Sequence, residues 1–353
     1  MSASPGRSLA AAAHSGRVAA VLSAHQGDQH LAEPTQSLQQ AGQEQQQQQQ
    51  TQQQQSQHQQ QPQQQRRTRP TQGELVQRCM VAGPPTIDIG ANLVDKSFDK
   101  DREAVLERAA QAGVVATVVT GTCVRTSRAA AALCDSPAGR RHNLYFTAGV
   151  HCHNAKDCDE GTLGALRQLA AHERCVAIGE TGLDFNRNFS PPGVQGRWFA
   201  AQVQMAEELQ LPLFLHCRDA GERFAEIMRQ HRRSVDGMVH CFTGSRAELE
   251  AFLGMGLHIG ITGWVADDRP ERGGAQLAAL LPLVPDDRLF IETDCPYLTP
   301  RSITPSKSRP QRNEPALLPH VLAAVAAARG QSPEHVARVT TENARRFFRL
   351  ADA

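Results

Sequence analysis

The sequence predicts a (β/α)₈ barrel, or TIM barrel, over residues 85–353 of the 353-residue chain. Strand-like apolar runs recur about every 30 residues after Pro85, which is the spacing of a strand and its returning helix. Amphipathic helical patterns lie between most of these runs. Several runs end in Glu, His or Asp, and barrel enzymes carry their functional groups at the carboxyl ends of strands.

Eight segments have the composition of buried parallel strands. They are Thr86–Gly90, Val114–Gly121, Leu144–His151, Val176–Leu183, Pro212–Asp219, Gly237–Thr243, Leu257–Trp264 and Leu289–Pro296. Apolar residues at helical spacing predict five intervening helices. They are Asp101–Ala112, Gln195–Leu209, Gly221–Gln230, Glu248–Leu253 and Gly274–Leu281. A doubly wound open sheet is the alternative, but Asp88–Asn92 lacks the glycine-rich turn that this fold places after its first strand.

The first 82 residues differ in composition and are expected to form a disordered, glutamine-rich extension, with the barrel domain covering residues 85–353. The tract Gln45–Gln65 is nearly all glutamine and cannot bury enough apolar surface to offset chain entropy. The residues before Asp28 contain many alanines, several serines, Arg7, Arg17 and no acid, as in an organellar transit peptide or an ordinary flexible tail. We therefore expect a cytoplasmic or nuclear protein, with the mitochondrion or plastid as the alternative.

Composition limits the possible functions. The net charge is only +1, so nucleic-acid binding would require a local basic patch rather than a basic surface overall. The nine cysteines form no CxxC pair, which predicts reduced thiols in a reducing compartment. The sequence has no apolar run long enough to cross a membrane. No obligate protein partner is inferred.

Four strand ends carry side chains of the types that bind divalent metal ions. Glu180 ends the fourth predicted strand, His216 the fifth, His240 the sixth and Asp294 the eighth. A buried carboxylate is costly unless it is paired or bound to a metal. Any one of these residues alone could be an ordinary hydrogen-bonded side chain. Four of them at one end of a barrel predict a site for a divalent metal ion.

A metal ion held there would polarise an ester or phosphoryl oxygen and acidify a bound water molecule. Asp294 is predicted to accept the proton of that water. Glu292 lies two residues earlier, on the same side of the strand, and is the second catalytic candidate. It could act as the base, bind a second ion, or pair with an arginine inside the barrel.

Basic and aromatic residues near the same strand ends predict a surface for single-stranded nucleic acid, where bases stack and phosphates pair. The predicted substrate contacts are His151, His153, Arg187, Arg218 and the basic loop that contains Arg312. The two histidines lie on one side of their strand and could instead bind a metal ion or form a hydrogen-bonded pair. The arginines could instead be solvated loop residues.

Four segments resemble the signature motifs of the TatD family of metal-dependent deoxyribonucleases, which are TIM barrels. They are Ile178–Asp184, Leu215–Asp219, His240–Gly244 and Ile291–Tyr297, and the resemblance extends from Ile87 to about Phe348. It implies that Glu180, His216, His240 and Asp294 bind the metal ion and that Glu292 supports the chemistry. It also implies that His153 and the segment Arg312-Asn313-Glu314-Pro315 lie close to the substrate.

The resemblance further implies a 3′→5′ exonuclease that acts on DNA, and in some members on RNA, with a divalent cation such as Mg²⁺. We expect single-stranded DNA as the substrate, with Zn²⁺ and Mn²⁺ as alternative ions. Mg²⁺ is the preferred candidate. Gly90 and Asn92 stand where many relatives have two histidines that bind a second ion, so we expect one firmly bound ion. Two other functions are compatible with the barrel. One is a metal-dependent amidohydrolase of small cyclic amides or esters, and the other is a non-catalytic binding protein.

Overall fold

The computed structural model describes residues 42–43, 45–54 and 70–351, in two compact units, residues 1–68 and 69–353. In the first unit, residues 45–54 form an exposed helix within the glutamine-rich tract. The composition predicted no regular structure there. Glutamine has a high intrinsic helix propensity, which accounts for a helix without a packed face. The predicted transit segment lies outside the described residues.

The second unit is a (β/α)₈ barrel, as predicted, and all eight predicted strands are present. They are β1 (Thr86–Ala91), β2 (Val114–Val119), β3 (Leu144–Ala148), β4 (Cys175–Asp184), β5 (Leu213–Arg218), β6 (Gly237–Val239), β7 (His258–Ile261) and β8 (Leu289–Ile291). They form one parallel sheet in sequence order. The N–H of Asp294 donates to the Gly90 carbonyl at 2.8 Å, and Ala91 bridges to Cys295, so the chain after β8 meets the end of β1.

The helices of this unit surround the sheet. They are α1 (Gln72–Cys79), α2 (Arg102–Gln111), α3 (Val124–Asp135), α4 (Pro137–Arg141), α5 (Thr162–Ala170), α6 (Pro192–Leu209), α7 (Gly221–His231), α8 (Arg246–Gly254), α9 (Gly274–Leu280), α10 (Leu318–Arg329) and α11 (Pro333–Phe348). The five predicted helices correspond to α2 and α6–α9. The unpredicted α3 and α10 are rich in alanine, which blurs the contrast between their polar and apolar faces. Among the described residues, none of the helices has the length and hydropathy needed to span a membrane.

Alternate residues of the strands build an apolar cluster inside the barrel. Ile87, Phe214 and Phe290 belong to it, together with Phe347 and Phe348 of α11. The Phe347 ring also packs against His258, the first residue of β7, at 5.1 Å between ring centroids. Helix α11 therefore covers the barrel end where the strands begin, and the opposite end is left for the polar strand-end residues.

Three residues just after strands take an unusual backbone conformation. Asp219, Cys241 and Asp294, which directly follow polar strand-end segments, have φ values of 51°, 45° and 52°. This left-handed region is uncommon for residues other than glycine. These conformations interrupt the regular strand geometry beside the polar residues.

The folded unit begins before Pro85, where the sequence placed its start. Helix α1 has a capping box made by Thr71 and Glu74, and its Val76 is fully buried. Val76 packs in a small cluster with Ile303 and Leu317, which belong to the chain after β8. The spacing of Thr71 and Glu74 was the available signal for this helix, because apolar periodicity does not predict a helix that buries only one valine in eight residues.

Replacing Val76 with alanine should lower the free energy of unfolding by about 2 kcal/mol, because it leaves a cavity between α1 and the barrel. Val81→Ala is the matched control. Val81 lies in the same segment but is 53% exposed, so its loss should change the free energy by less than about 0.5 kcal/mol. Urea denaturation of both variants measures the difference, and equal effects would show that α1 does not pack on the barrel.

A buried charge network fixes the loop after β8. Glu314 is fully buried, and its two carboxylate oxygens lie 2.7 Å from Arg312 Nη2 and 2.8 Å from Arg108 Nη2. Arg312 also donates to both carboxylate oxygens of Asp101, at 2.8 and 2.7 Å. Asn313, also fully buried, donates from Nδ2 to the Thr293 carbonyl at 2.9 Å. These contacts tie the loop to α2 and to the end of β8.

Arg312→Ala should destabilise the protein by about 3 kcal/mol, because it leaves the buried Glu314 carboxylate with only one counter-charge. Arg338→Ala is the control, since the Arg338–Glu342 pair on α11 is 56% exposed at both side chains. Its loss should cost less than about 1 kcal/mol. Thermal and urea unfolding measure both. A stable Arg312→Ala protein that had lost only substrate affinity would contradict the structural role.

Candidate metal centre

The Glu180 carboxylate is the centre of a cluster of imidazoles at the open end of the barrel. Its Oε1 lies 2.7 Å from His240 Nε2, 3.1 Å from His216 Nδ1 and 3.1 Å from His151 Nε2. Strand β4 carries Glu180, β5 carries His216, and the other two histidines follow β6 and β3. Ligand atoms of His151, Glu180 and His216 all lie within 4.8 Å of one another, close enough to share one metal ion.

The charges in this cluster are strongly coupled. Burial alone would raise the pKa of Glu180, but the charges of His240 and His151 and the hydrogen bonds from His151 and His216 hold it well below its usual range. Burial likewise opposes protonation of His240, yet Glu180 and Glu292 raise the pKa of His240 well above its ordinary value. The cluster therefore favours positive charge at its centre, whether protons on the imidazoles or a cation that displaces them.

Two glycines make room for the Glu292 carboxylate. A Cβ atom at Gly90 of β1 would lie 2.1 Å from Glu292 Oε2, and one at Gly260 of β7 would lie 2.8 Å from Oε1. The Cys241 N–H donates to Oε1 at 2.6 Å, and Oε2 lies 3.5 Å from His240 Nδ1. Glu292 thus occupies the space beside β1, and a histidine at position 90 would collide with it.

Strand β1 positions Asp294. The Asn92 side chain donates from Nδ2 to Asp294 Oδ1 at 3.0 Å. The preceding residue, Thr293, donates to the buried Asp88 carboxylate from its N–H at 2.9 Å and from its hydroxyl at 2.5 Å. Burial raises the pKa of both aspartates to about 7. Asp88, which was not among the predicted site residues, holds the backbone between Glu292 and Asp294.

Asp184 is a second site residue that the predictions missed. Its Oδ2 lies 2.8 Å from His153 Nε2 and 3.6 Å from His216 Nε2, and its Oδ1 accepts from the N–H groups of Asn186 and Arg187 at 2.9 Å. Burial opposes ionisation, but these hydrogen bonds hold the pKa of Asp184 far below its ordinary value. Asp184 lies an even number of residues after Glu180 on β4, which puts both side chains on one face of the strand. This spacing was the signal in the sequence that could have identified Asp184.

The residues present fit a divalent cation. Among the described residues, the buried atoms His216 Nε2, His240 Nδ1 and Glu292 Oε2 have no hydrogen-bond partner. Buried polar atoms are rarely left unpaired in folded proteins. Imidazole nitrogens and carboxylate oxygens are also the donor atoms that divalent metals take. Glu180, His216, His240 and Asp294 could therefore hold an ion.

The predicted substrate contacts fall into three groups. His151 is 8% exposed and lies inside the imidazole cluster, whereas His153 lies nearer the surface, with a side chain that is 25% exposed. Arg187 is exposed and Arg218 is half-buried, both next to the site. Arg312 and Asn313 do not join them. Both Nη groups of Arg312 and the Nδ2 group of Asn313 are taken up by the buried network around Glu314, Asp101 and Thr293, so the geometry does not support substrate contact by these two.

Comparison with known proteins agrees with the resemblance found in the sequence. The family model of the TatD-related DNases matches residues 87–349. A 3′-5′ ssDNA/RNA exonuclease TatD from Rahnella sp. is 49% identical over 265 residues, which cover 75% of this chain and 98% of the relative. The corresponding Pantoea sp. protein is 50% identical over 265 residues and covers 75% of this chain and 99% of the relative.

Solved structures agree in fold. A TatD homologue from Escherichia coli K12 has a TM-score of 0.66 at 26% identity, over 75% of this chain and 98% of its own. A TatD family hydrolase from Entamoeba histolytica has a TM-score of 0.68 at 24% identity, over 76% of this chain and 99% of its own, and shows the shared fold. The motifs, the barrel and these matches together establish that the chain belongs to the TatD-related DNase family.

Proposed function

We propose that this protein is a metal-dependent nuclease that removes nucleotides from the 3′ end of single-stranded DNA, with RNA as a second substrate. The buried carboxylate–imidazole cluster around Glu180 is the observation that carries this proposal. It is supported by the curated relatives at 49% and 50% identity, which are described as 3′-5′ ssDNA/RNA exonucleases.

The proposed metal ligands are Glu180, His216, His240 and Asp294. Mg²⁺ is the proposed ion, with Mn²⁺ and Zn²⁺ as alternatives that suit the two imidazoles. When bound, the ion would polarise a phosphoryl oxygen and lower the pKa of a water molecule. The clash at position 90 supports one firmly held ion, because the carboxylate of Glu292 occupies the space that a ligand from the end of β1 would need.

The protein groups around this centre have separate tasks in the proposed reaction. Asp294 accepts the proton of the attacking water. Asn92 holds the Asp294 carboxylate in place by donating to its Oδ1. Glu292, fixed by the Cys241 N–H, lies 3.5 Å from His240 Nδ1 through Oε2 and adds negative charge beside that ring. The hydrolysis adds water across a P–O bond of the terminal phosphodiester and yields a phosphate monoester and a hydroxyl group.

The outer groups are suited to binding the strand. His153, whose Nε2 contacts Asp184, can donate from Nδ1 to a phosphate oxygen when both ring nitrogens carry a proton. The guanidinium groups of Arg187 and Arg218 make no hydrogen bond or ion pair with any described residue, so they are available to phosphates. Tyr297 is 57% exposed and offers a ring on which a base can stack.

Asp294→Asn should reduce the rate of DNA hydrolysis by at least about 100-fold, because it removes the proposed proton acceptor but keeps the side-chain shape. Purified full-length protein would be incubated with 3′- and 5′-labelled single-stranded oligonucleotides, with Mg²⁺ and with EDTA. Stepwise shortening from the 3′ end that requires Mg²⁺ is the expected wild-type result. Asp268→Asn, at a side chain that is 66% exposed, is the matched control and should keep the full rate. Digestion by Asp294→Asn at the wild-type rate would refute the assigned role.

Glu180→Gln should weaken divalent-metal binding by more than about 100-fold, because it removes the charge that the three imidazoles surround. Titration calorimetry with Mn²⁺ and metal analysis of the purified protein measure affinity and stoichiometry, with about one ion per wild-type chain expected. Glu173→Gln is the control, since Glu173 is 68% exposed and lies outside the cluster. Two ions at full occupancy, or unchanged affinity in Glu180→Gln, would contradict the proposed centre.

A further inference from the structure

A cavity opens between the carboxyl ends of β5, β6 and β7. Its volume is about 230 Å³, many times the roughly 10–15 Å³ that one water molecule needs. Residues on its wall directly continue the strands of the proposed ligands. Arg218 lies two residues after His216, and Thr243 lies three residues after His240. A group held in this cavity would therefore sit next to the reacting centre.

The cavity has a flat stacking surface. The Arg272 guanidinium carbon lies 4.4 Å from the centroid of the Trp264 ring, and the Trp264 Nε1–H donates to the Arg272 carbonyl at 2.6 Å. The stack and the hydrogen bond fix the two planar groups with respect to each other. Nucleic-acid-binding proteins stack bases on aromatic rings and on arginine guanidinium planes. This pair suits a nucleobase.

The charges on the wall limit what can enter. Three carboxylates, Asp219, Glu248 and Glu271, outnumber the two arginines, Arg218 and Arg272. Asp219 already accepts from Asn186 Nδ2 at 2.7 Å, and Glu248 accepts from the Ser245 N–H at 2.8 Å. The guanidinium of Arg218 is half-buried and pairs with no described residue. The cavity can thus bind one phosphate at Arg218, but it disfavours a strand that carries further phosphates through it.

We propose that this cavity binds the 3′-terminal nucleoside of the substrate strand, with its base on the Arg272–Trp264 pair and its connecting phosphate at Arg218. This inference rests on the proposed exonuclease function and adds the physical basis of its end specificity. A terminal nucleoside with a free 3′-hydroxyl can donate to the carboxylates. A 3′-phosphate in the same place would be repelled by them.

The chain contains two tryptophans, so binding can be observed without catalysis. In a Trp198→Phe variant, Trp264 is the only indole, and deoxyadenosine 5′-monophosphate should quench its fluorescence. In Trp264→Phe, the remaining Trp198 signal should not respond. Arg272→Ala in the Trp198→Phe background should weaken the nucleotide affinity about 10-fold, as expected for loss of a stacking group. Fluorescence of Trp264 that is unaffected by the nucleotide would overturn the proposal.

A matched arginine–tryptophan pair provides the control. Arg197 lies 5.9 Å from the ring of Trp198 on α6, outside the cavity, so Arg197→Ala should leave nucleotide affinity and hydrolysis unchanged. The Arg272→Ala and Arg197→Ala variants remove the same side chain from the same kind of pair. An equal loss of affinity in both variants would show that the effect does not come from the cavity, and would overturn the proposal.

The activity test uses 5′-labelled single-stranded oligonucleotides that differ only at the last nucleotide. With Mg²⁺, wild-type protein should remove a normal 3′-hydroxyl nucleotide at least about 10-fold faster than an abasic one or one with a 3′-phosphate. Arg272→Ala and Trp264→Leu should reduce the preference for the base. Hydrolysis that ignores the terminal nucleoside would overturn this inference alone. Absence of any cleavage by wild type would overturn the proposed function and this inference with it.

Discussion

The buried charge of Glu180 is the constraint on which the rest of the structure depends. A carboxylate that is 5% exposed is costly unless opposite charges and hydrogen bonds surround it. Here they come from His151, His216 and His240, which follow or end three different strands. These imidazoles meet only if neighbouring strands keep their register around the barrel. The same geometry that stabilises Glu180 therefore assembles the donor atoms of the proposed metal centre.

The sequence was sufficient for the barrel and for the strand-end positions of the proposed ligands, because both follow from local patterns. Buried parallel strands are apolar runs, and a polar residue at their carboxyl end is visible without any knowledge of contacts. The place of His151 in the cluster depends instead on register. The pairing shifts between Phe146 and Thr147 against β4, and between Gly179 and Thr181 against β5. No local pattern encodes such shifts, so the sequence could not show that His151 lies beside Glu180.

The arginines show a second limit of prediction from sequence. Arg218 and Arg312 are both basic residues near strand ends, and the sequence treats them alike. The two arginines differ in their counter-charges. Arg312 is held by Asp101, which is distant in the chain, and by the buried Glu314, whereas Arg218 pairs with no described residue. An arginine with a structural role has carboxylates folded against it. An arginine available to substrate has none of the described carboxylates paired with it.

Strand β5 connects the two parts of the proposed active site. His216 contacts Glu180 through Nδ1 and lies near Asp184 through Nε2, and Arg218, two residues later, faces the neighbouring cavity. Asp219 then turns the chain with φ of 51°, which keeps Arg218 at the rim. Because one short strand carries both a proposed metal ligand and the proposed phosphate contact, their separation is fixed by strand geometry. A terminal nucleoside bound in the cavity would thus bring its connecting phosphate to a set distance from the centre, so recognition of the strand end and placement of the scissile bond would be one event.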